Sequence, residues 1–288
     1  MVRATAHGGL VRAFAINATG VVREIRERHQ TFPSATAALG RLSIGALMFG
    51  AMLKEEDQIV TIRVQGDGPG GSLVATANGA GEVRSLMSNP QAEIEENRNG
   101  KLNVRGLVGT SGHLTVSKDL GLRQPYAGTV ELVSGEIGED LTYYLATSEQ
   151  TPSSVGIGVL VDVDNSVVAA GGYMVQLLPG LDDEAISRIE EMISALPHPT
   201  AMIRGGDTPE QILARIFGDD VAVLGRTPVR FACPCSRERV ANALALLGNE
   251  EIDAMIEEAS EDRHEIKCRF CNAAYYFTNP DLAALKTA

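Results

Sequence analysis

The sequence predicts an α+β protein in three parts. These are a large mixed sheet-and-helix N-terminal domain over residues 1–178, a helical linker over 179–230 and a small C-terminal domain over 231–288. Three observations carry this reading. From residue 59 to 178, short β-branched or alternating runs bounded by Gly, Asn or Asp outnumber helical patterns, without the strict strand–helix alternation of βαβ units. At Leu178-Pro179-Gly180 the pattern changes to amphipathic helices broken by Pro and Gly. The chain's four cysteines all fall in its last quarter, as two tight pairs.

In chain order, residues 10–16 (LVRAFAI) alternate loosely and read as a strand. A short helix follows from Gly20, with Val21, Val22 and Ile25 on one face. Ser34 is the expected cap of a longer helix whose apolar side holds Ala37, Ala38, Leu42, Leu47, Met48 and Met52. Gly40, Gly45 and Gly50 weaken that helix but permit close packing, and its bland role is core. Strands are expected at Ile59–Gln65, Ser72–Ala77, Glu82–Ser88 and His113–Ser117. Gly66-Asp67-Gly68-Pro69-Gly70-Gly71 looks superficially like a phosphate loop. It lacks the Gly-Lys-Ser/Thr ending and precedes a strand, so it reads as a hairpin turn. Asn97-Arg98-Asn99-Gly100 is a second turn signal. Thr129–Val133 reads as a strand, Asp140–Ser148 as a helix carrying Tyr143 and Tyr144, and Val155–Asp162 and Val167–Leu178 as further strands.

From 179 to about Phe231 the chain reads as helical but broken. Asp182 or Asp183 caps a helix with the stripe Ile186, Ile189, Met192, Ile193 and Leu196, and Pro197-His198-Pro199 ends it. Thr208-Pro209-Glu210-Gln211 is a capping box that opens a helix over Ile212–Phe217. Helices this short need tertiary support, so they are expected to dock on the first domain. The plain alternative is an ordinary interdomain connector. Beyond it, Arg237–Leu247 and Glu250–Ala259 read as helices, Tyr275-Tyr276-Phe277 as a strand, and Asn279-Pro280 as the cap of a terminal helix.

The cysteines are Cys233-Pro234-Cys235 and, after 32 intervening residues, Cys268-Arg269-Phe270-Cys271. Two close pairs at this separation are the sequence form of a four-thiolate site for one zinc ion. The first pair has one intervening residue where two or more are usual. Its thiols are close enough to oxidise to each other if the metal leaves. Arg230, Arg237, Arg239, Lys267 and Arg269 lie within four positions of a cysteine, and Ser236 is a plausible N-cap beside Cys235. Both features favour thiolate. On spacing alone, a static zinc staple and an oxidant-sensitive site both remain open. His264 is a spare ligand by proximity, but four cysteines fill the site, so it is expected at the surface. Residues 250–265 hold eight acids against one Arg, a solvated face. A segment of 58 residues with so little core needs the metal to fold.

Net charge is −12, which argues against nucleic acid as a partner. The amino terminus has no uninterrupted apolar run, so no signal peptide is expected. The apolar stretch 42–53 is too short to span a bilayer, so no membrane partner is expected either. The cytoplasm is the expected compartment, with the cysteines reduced or metal-bound. No Ser/His/Asp arrangement or paired-acid motif is visible, and a four-cysteine site leaves no open position for water, so no enzyme activity is expected.

Taken together the chain resembles the bacterial redox-regulated heat-shock holdase family, commonly called 33 kDa chaperonin. The resemblance rests on Cys233-x-Cys235 running into Ser236-Arg237-Glu238-Arg239, then Leu247-Gly248, Glu251-Ile252, Cys268-x-x-Cys271 and Tyr275. Upstream it rests on Ala38-Leu39-Gly40-Arg41, Gly66-Asp67-Gly68-Pro69, Ser88-Asn89-Pro90, Tyr143-Tyr144, Ser148-Glu149-Gln150 and Gln176-Leu177-Leu178-Pro179-Gly180. It implies a reduced, zinc-bound, inactive form. Peroxide with heat, or hypochlorous acid, would join Cys233 to Cys235 and Cys268 to Cys271 and expel zinc. The linker would unfold, and a homodimer would hold unfolding or aggregating client proteins without ATP. The stripe Ile186, Ile189, Met192, Ile193 and Leu196 is the candidate client surface. The competing readings are a thiol–disulfide oxidoreductase with a structural zinc site and a zinc-module nucleic-acid binder. The first lacks a thioredoxin-like βαβ setting and the second lacks basic charge.

Overall fold

The structure, a computed structural model, describes residues 1–95, 102–258 and 262–286. The expected turn at 97–100 lies outside the described residues. The chain forms two compact units, Met1–Ala232 and Cys233–Ala288.

The first unit opens with β1 (Val2–Ala6) and β2 (Val11–Asn17), then α1 (Thr19–His29) and α2 (Pro33–Gly50). Next come β3 (Ile59–Gly66), β4 (Ser72–Asn78), β5 (Glu82–Met87), α3 (Val104–Val108), β6 (Gly112–Asp119) and β7 (Tyr126–Glu131). Then follow α4 (Gly138–Thr147), β8 (Ser153–Val161) and β9 (Val167–Leu177). Helices α5 (Asp183–Ser194), α6 (Pro199–Arg204) and α7 (Pro209–Phe217) lead into β10 (Ala222–Arg226) and β11 (Arg230–Phe231). The second unit holds α8 (Arg237–Ala245), α9 (Asn249–Glu258), β12 (His264–Lys267), β13 (Ala274–Phe277) and α10 (Asn279–Ala283).

The strands of the first unit make two sheets, in the orders β10-β1-β2-β9-β8 and β11-β5-β4-β3-β6-β7. Helix α2 packs on both: on β3, β4 and β5 of one sheet and on β2, β8 and β9 of the other. Every residue from Ser34 to Gly50 except Arg41 is buried, as expected for a helix apolar on all sides. Its glycines serve close approach. A Cβ at Gly45 would collide with Leu141, and one at Gly50 would stand 2.6 Å from the Asn78 carbonyl oxygen. The expected phosphate-loop look-alike is a hairpin loop, since Gln65 pairs with Ser72 across it. The expected cap Ser34 is inside α2. Phe32 is the N-cap, and Pro33 starts the helix with its preset φ.

The largest departure from the sequence reading lies between Val221 and Ala232, read as broken helix. It forms β10, antiparallel to β1 through Val2↔Arg226, and β11, parallel to β5 through Phe231↔Val83. Helices α6 and α7 pack on the first sheet, against β8 and β9 and against β1 and β2 respectively. They add Met202, Ile203, Ile212, Leu213, Ile216 and Phe217 to a core that includes Val2, Val11, Ala13, Tyr173 and Val175. Asp182 caps α5 by accepting from the Ala185 amide, and the Thr208–Gln211 box caps α7.

The core of the second unit is small: Leu244, Ile252, Phe277 and Leu282 are buried, with Val240, Ile266, Tyr275 and others packed around them. Thr278, not Asn279, caps α10, in a reciprocal box with Asp281.

Candidate metal centre

The first cysteine pair sits on the extended segment that enters α8. Ser236 caps that helix, its hydroxyl accepting from the Arg239 amide at 3.1 Å. The second pair occupies the turn between β12 and β13. Asn272 N–H donates to the Cys268 carbonyl at 2.8 Å and Cys268 N–H to the Ala273 carbonyl at 2.9 Å. Asn272 takes the left-handed conformation (φ 57°) that a short polar side chain tolerates. The β12–β13 pairing, His264↔Phe277 to Lys267↔Ala274, anchors this turn.

These two segments bring the four sulfurs within 4.8 Å of one another. Cys233 Sγ lies 3.7 Å from Cys268 Sγ, and Cys235 Sγ 3.3 Å from Cys271 Sγ. A tetrahedron with metal–sulfur bonds of about 2.3 Å has sulfur–sulfur edges of about 3.8 Å. The four-sulfur set therefore fits one four-coordinate ion, and its soft donors select for a thiophilic metal.

The environment is uneven. Burial pushes the Cys233 and Cys271 thiols up. Burial also pushes on Cys235, but the Tyr275 hydroxyl and the three neighbouring thiols act the other way and bring it down to about 7. Tyr275 O–H donates to Cys235 Sγ at 3.1 Å, and this bond holds the phenol up at about 12. The Tyr275 hydrogen bond thus favours thiolate at Cys235.

Three of the basic residues near the cysteines are engaged with acids. Arg230 pairs with Glu82 at 2.5 Å, Arg237 with Asp281 at 2.9 Å and Lys267 with Glu265 at 2.9 Å. The direct side-chain donor to Cys235 is Tyr275, which the sequence shows as a strand residue but not as a sulfur partner. His264, expected at the surface, is buried in β12, and its Nε2 lies 2.7 Å from Asn279 Oδ1. It is outside the four-sulfur cluster.

The apolar stripe on α5 is not uniform. Ile189 is buried and Ile193 and Leu196 pack against the first-unit core. Ile186 is half-buried, and Met192 is 45% exposed. The deeper apolar seat of this segment is on α6 and α7.

A family model described as "Hsp33 protein" matches residues 1–278. The chain belongs to the Hsp33 family. Among curated Hsp33 relatives, the 33 kDa chaperonin of Bacillus licheniformis is 51% identical over 286 residues, covering 99% of this chain and 98% of its own length. That of Bacillus subtilis is 50% identical, covering 99% and 97%. The crystal structure of the Hsp33 homologue, a 33 kDa chaperonin, from Thermotoga maritima superposes with a TM-score of 0.90. It is 38% identical and covers 98% of this chain and 96% of its own. Among the described residues, no helix is long and apolar enough to cross a membrane.

Proposed function

We propose that this Hsp33 chain is an ATP-independent holdase switched by oxidation. The observation that carries the reading is the gathering of four cysteine sulfurs within 4.8 Å in a unit with only a small apolar core. In the reduced form Cys233, Cys235, Cys268 and Cys271 hold one zinc ion. Bound zinc keeps the four thiolates unprotonated and ties the Cys233–Cys235 segment to the β12–β13 turn. Hydrogen peroxide takes two electrons from each pair, one molecule per pair. Its O–O bond breaks, protons are taken up to give water, and S–S bonds form between Cys233 and Cys235 and between Cys268 and Cys271. Disulfide sulfurs are poor donors, so the folding energy that depends on metal, roughly 10–16 kcal/mol in small zinc domains, is lost.

Residues 179–230 then act as the metastable linker between residues 1–178 and the switch domain at 231–288. Their release uncovers the stripe of Ile189, Ile193 and Leu196, with Ile186 and Met192 beside it, and the deeper side chains of α6 and α7. Contiguous apolar surface of this kind binds unfolding or aggregating proteins, and the active form is a homodimer. The protein works in the cytoplasm, without nucleic acid, membrane or catalytic turnover.

The test follows zinc release and client protection in one sample. Reduced, zinc-loaded protein is exposed to peroxide at mild heat, with a chelating dye and a heat-unfolded client. Suppression of aggregation should appear with zinc release and reverse on adding thiol reductant. Zinc release without suppression would leave the cysteines as a staple or a redox site, and turnover of a small disulfide substrate would favour the oxidoreductase.

A further inference from the structure

We infer that Tyr275 is a positioning residue that sets how fast the metal-bound thiolates react with oxidant, by donating its hydroxyl hydrogen bond to Cys235 Sγ. The inference rests on the redox reading above and names the side chain that tunes it.

The geometry is built, not incidental. Tyr275 lies in β13, paired with Ile266 of β12, and its ring packs against the cluster of Leu244, Ile252, Phe277 and Leu282. That packing fixes the ring and aims the hydroxyl at Cys235, 40 residues away in sequence, at 3.1 Å. Alternation along the strand turns Tyr276 to the other face. There its ring, 43% exposed, lies 3.9 Å below the Arg263 guanidinium. Of two adjacent tyrosines, one reaches the sulfur and the other supplies an internal control.

The chemistry follows from charge. Four thiolates around a divalent ion leave a net charge of −2 on the cluster, concentrated in sulfur lone pairs. Those lone pairs attack the peroxide. A thiolate sulfur forms an S–O bond, the O–O bond breaks, and hydroxide leaves and is protonated to water. The partner thiolate of the pair then displaces the second oxygen as hydroxide, also protonated to water, and forms the S–S bond. A hydrogen bond to Cys235 Sγ draws density from the lone pair that must make the first bond, so it slows that step. Donors beyond the ligands tune metal–sulfur sites in this way.

The test compares wild type with Tyr275→Phe and Tyr276→Phe in three readouts. In zinc-loaded protein, Tyr275→Phe should speed peroxide-driven zinc release by about three- to tenfold, the range of one ordinary net hydrogen bond. Chelator-driven release should rise by a smaller factor. In cobalt-loaded protein, the thiolate-to-cobalt charge-transfer band should move to lower energy, with the tetrahedral d–d bands unchanged. Tyr276→Phe should leave all three readouts in place. Should Tyr275→Phe fail to load metal, 3-fluorotyrosine, a stronger donor of the same shape, should shift both rate and band in wild type in the opposite direction. Equal acceleration of peroxide-driven and chelator-driven release, or an unmoved cobalt band, would overturn the inference and leave Tyr275 a packing residue. Wild type that keeps its zinc under peroxide would sink the redox reading instead, while the cobalt band would still decide whether Tyr275 donates to the sulfur.

Discussion

Replacing Ile212 by alanine should loosen the segment that carries α5–α7 while leaving the central sheets intact. Ile212 is fully buried, with Leu213, Ile216 and Phe217 beside it, where α7 packs on β1 and β2. Truncating isoleucine at such a site costs roughly 2–5 kcal/mol, as lost transfer energy plus a cavity. Taking about 3 kcal/mol, and with 1.4 kcal/mol per factor of ten, the local opening constant rises about 150-fold. Met192→Ala on α5, where the side chain is 45% exposed, should change it by less than about 0.5 kcal/mol. Native-state hydrogen exchange separates the cases. The Gly218 amide, bonded to the Ala214 carbonyl at 2.8 Å, and the Thr227 amide, bonded to the Met1 carbonyl at 2.9 Å, report the segment. Amides in the β3–β6 ladder, such as those around Ile62↔Val116, report the central sheet. In Ile212→Ala the first group should exchange about 100-fold faster and the second at the wild-type rate. Equal acceleration of both would mean that the segment and the sheets open as one unit, and a separately releasable linker would be untenable.

Further outcomes are expected elsewhere. Cys268→Ser removes one of four sulfur donors, so metal binding should be lost, and residues 233–286 and with them the linker at 179–230 should become protease-sensitive while the sheets of residues 1–178 stay resistant. Glu82→Gln should loosen β11 by no more than about 1 kcal/mol, because its partner Arg230 is 73% exposed. The hydrogen bonds from Arg230 and Asn78 hold the Glu82 carboxyl below its ordinary value. Its contribution is therefore full above the free carboxyl's pKa and is lost as pH falls through the lowered folded value. The protection factor of the Ala232 amide, bonded to the Val83 carbonyl, which is its exchange rate corrected for the intrinsic pH dependence, should fall on acidification in wild type and stay constant in the variant. Gly50→Ala should lower the urea midpoint, since crowding against the Asn78 carbonyl, roughly 1–3 kcal/mol, outweighs alanine's helix preference of about 1 kcal/mol.

The sequence exposed what depends on local spacing and hid what depends on distant partners. The cysteine pairs, the Thr208–Gln211 box and the Asp182 cap are each written within a few neighbouring residues, and the structure has them there. Strand β10 gives no such signal. Its residues are almost all exposed and include Gly225, so no alternation marks it, and its pairing comes from β1 at the opposite end of the chain. Strand β11 is two residues long and exists because β5 offers it an edge. His264 follows an acidic run that reads as solvated, yet its register opposite Phe277 carries it inward. The Tyr275–Cys235 bond spans 40 residues, so it follows from the fold of the second unit and not from any motif.

The order of strands in the first sheet has a consequence for synthesis. Strand β2 is flanked by β1 and β9, with Phe14 opposite Met174, and β1 completes its other side only with β10. A ribosome therefore releases β1, β2 and the largely apolar α2 long before their neighbours exist. Until Leu177 has emerged, β2 lacks one flank, and until Arg226 has emerged, β1 lacks one too. Such non-local pairing makes folding slow and leaves the nascent chain with sticky, open-edged intermediates. During its own birth, a chain of this chaperone family passes through a state in need of the protection that a chaperone gives.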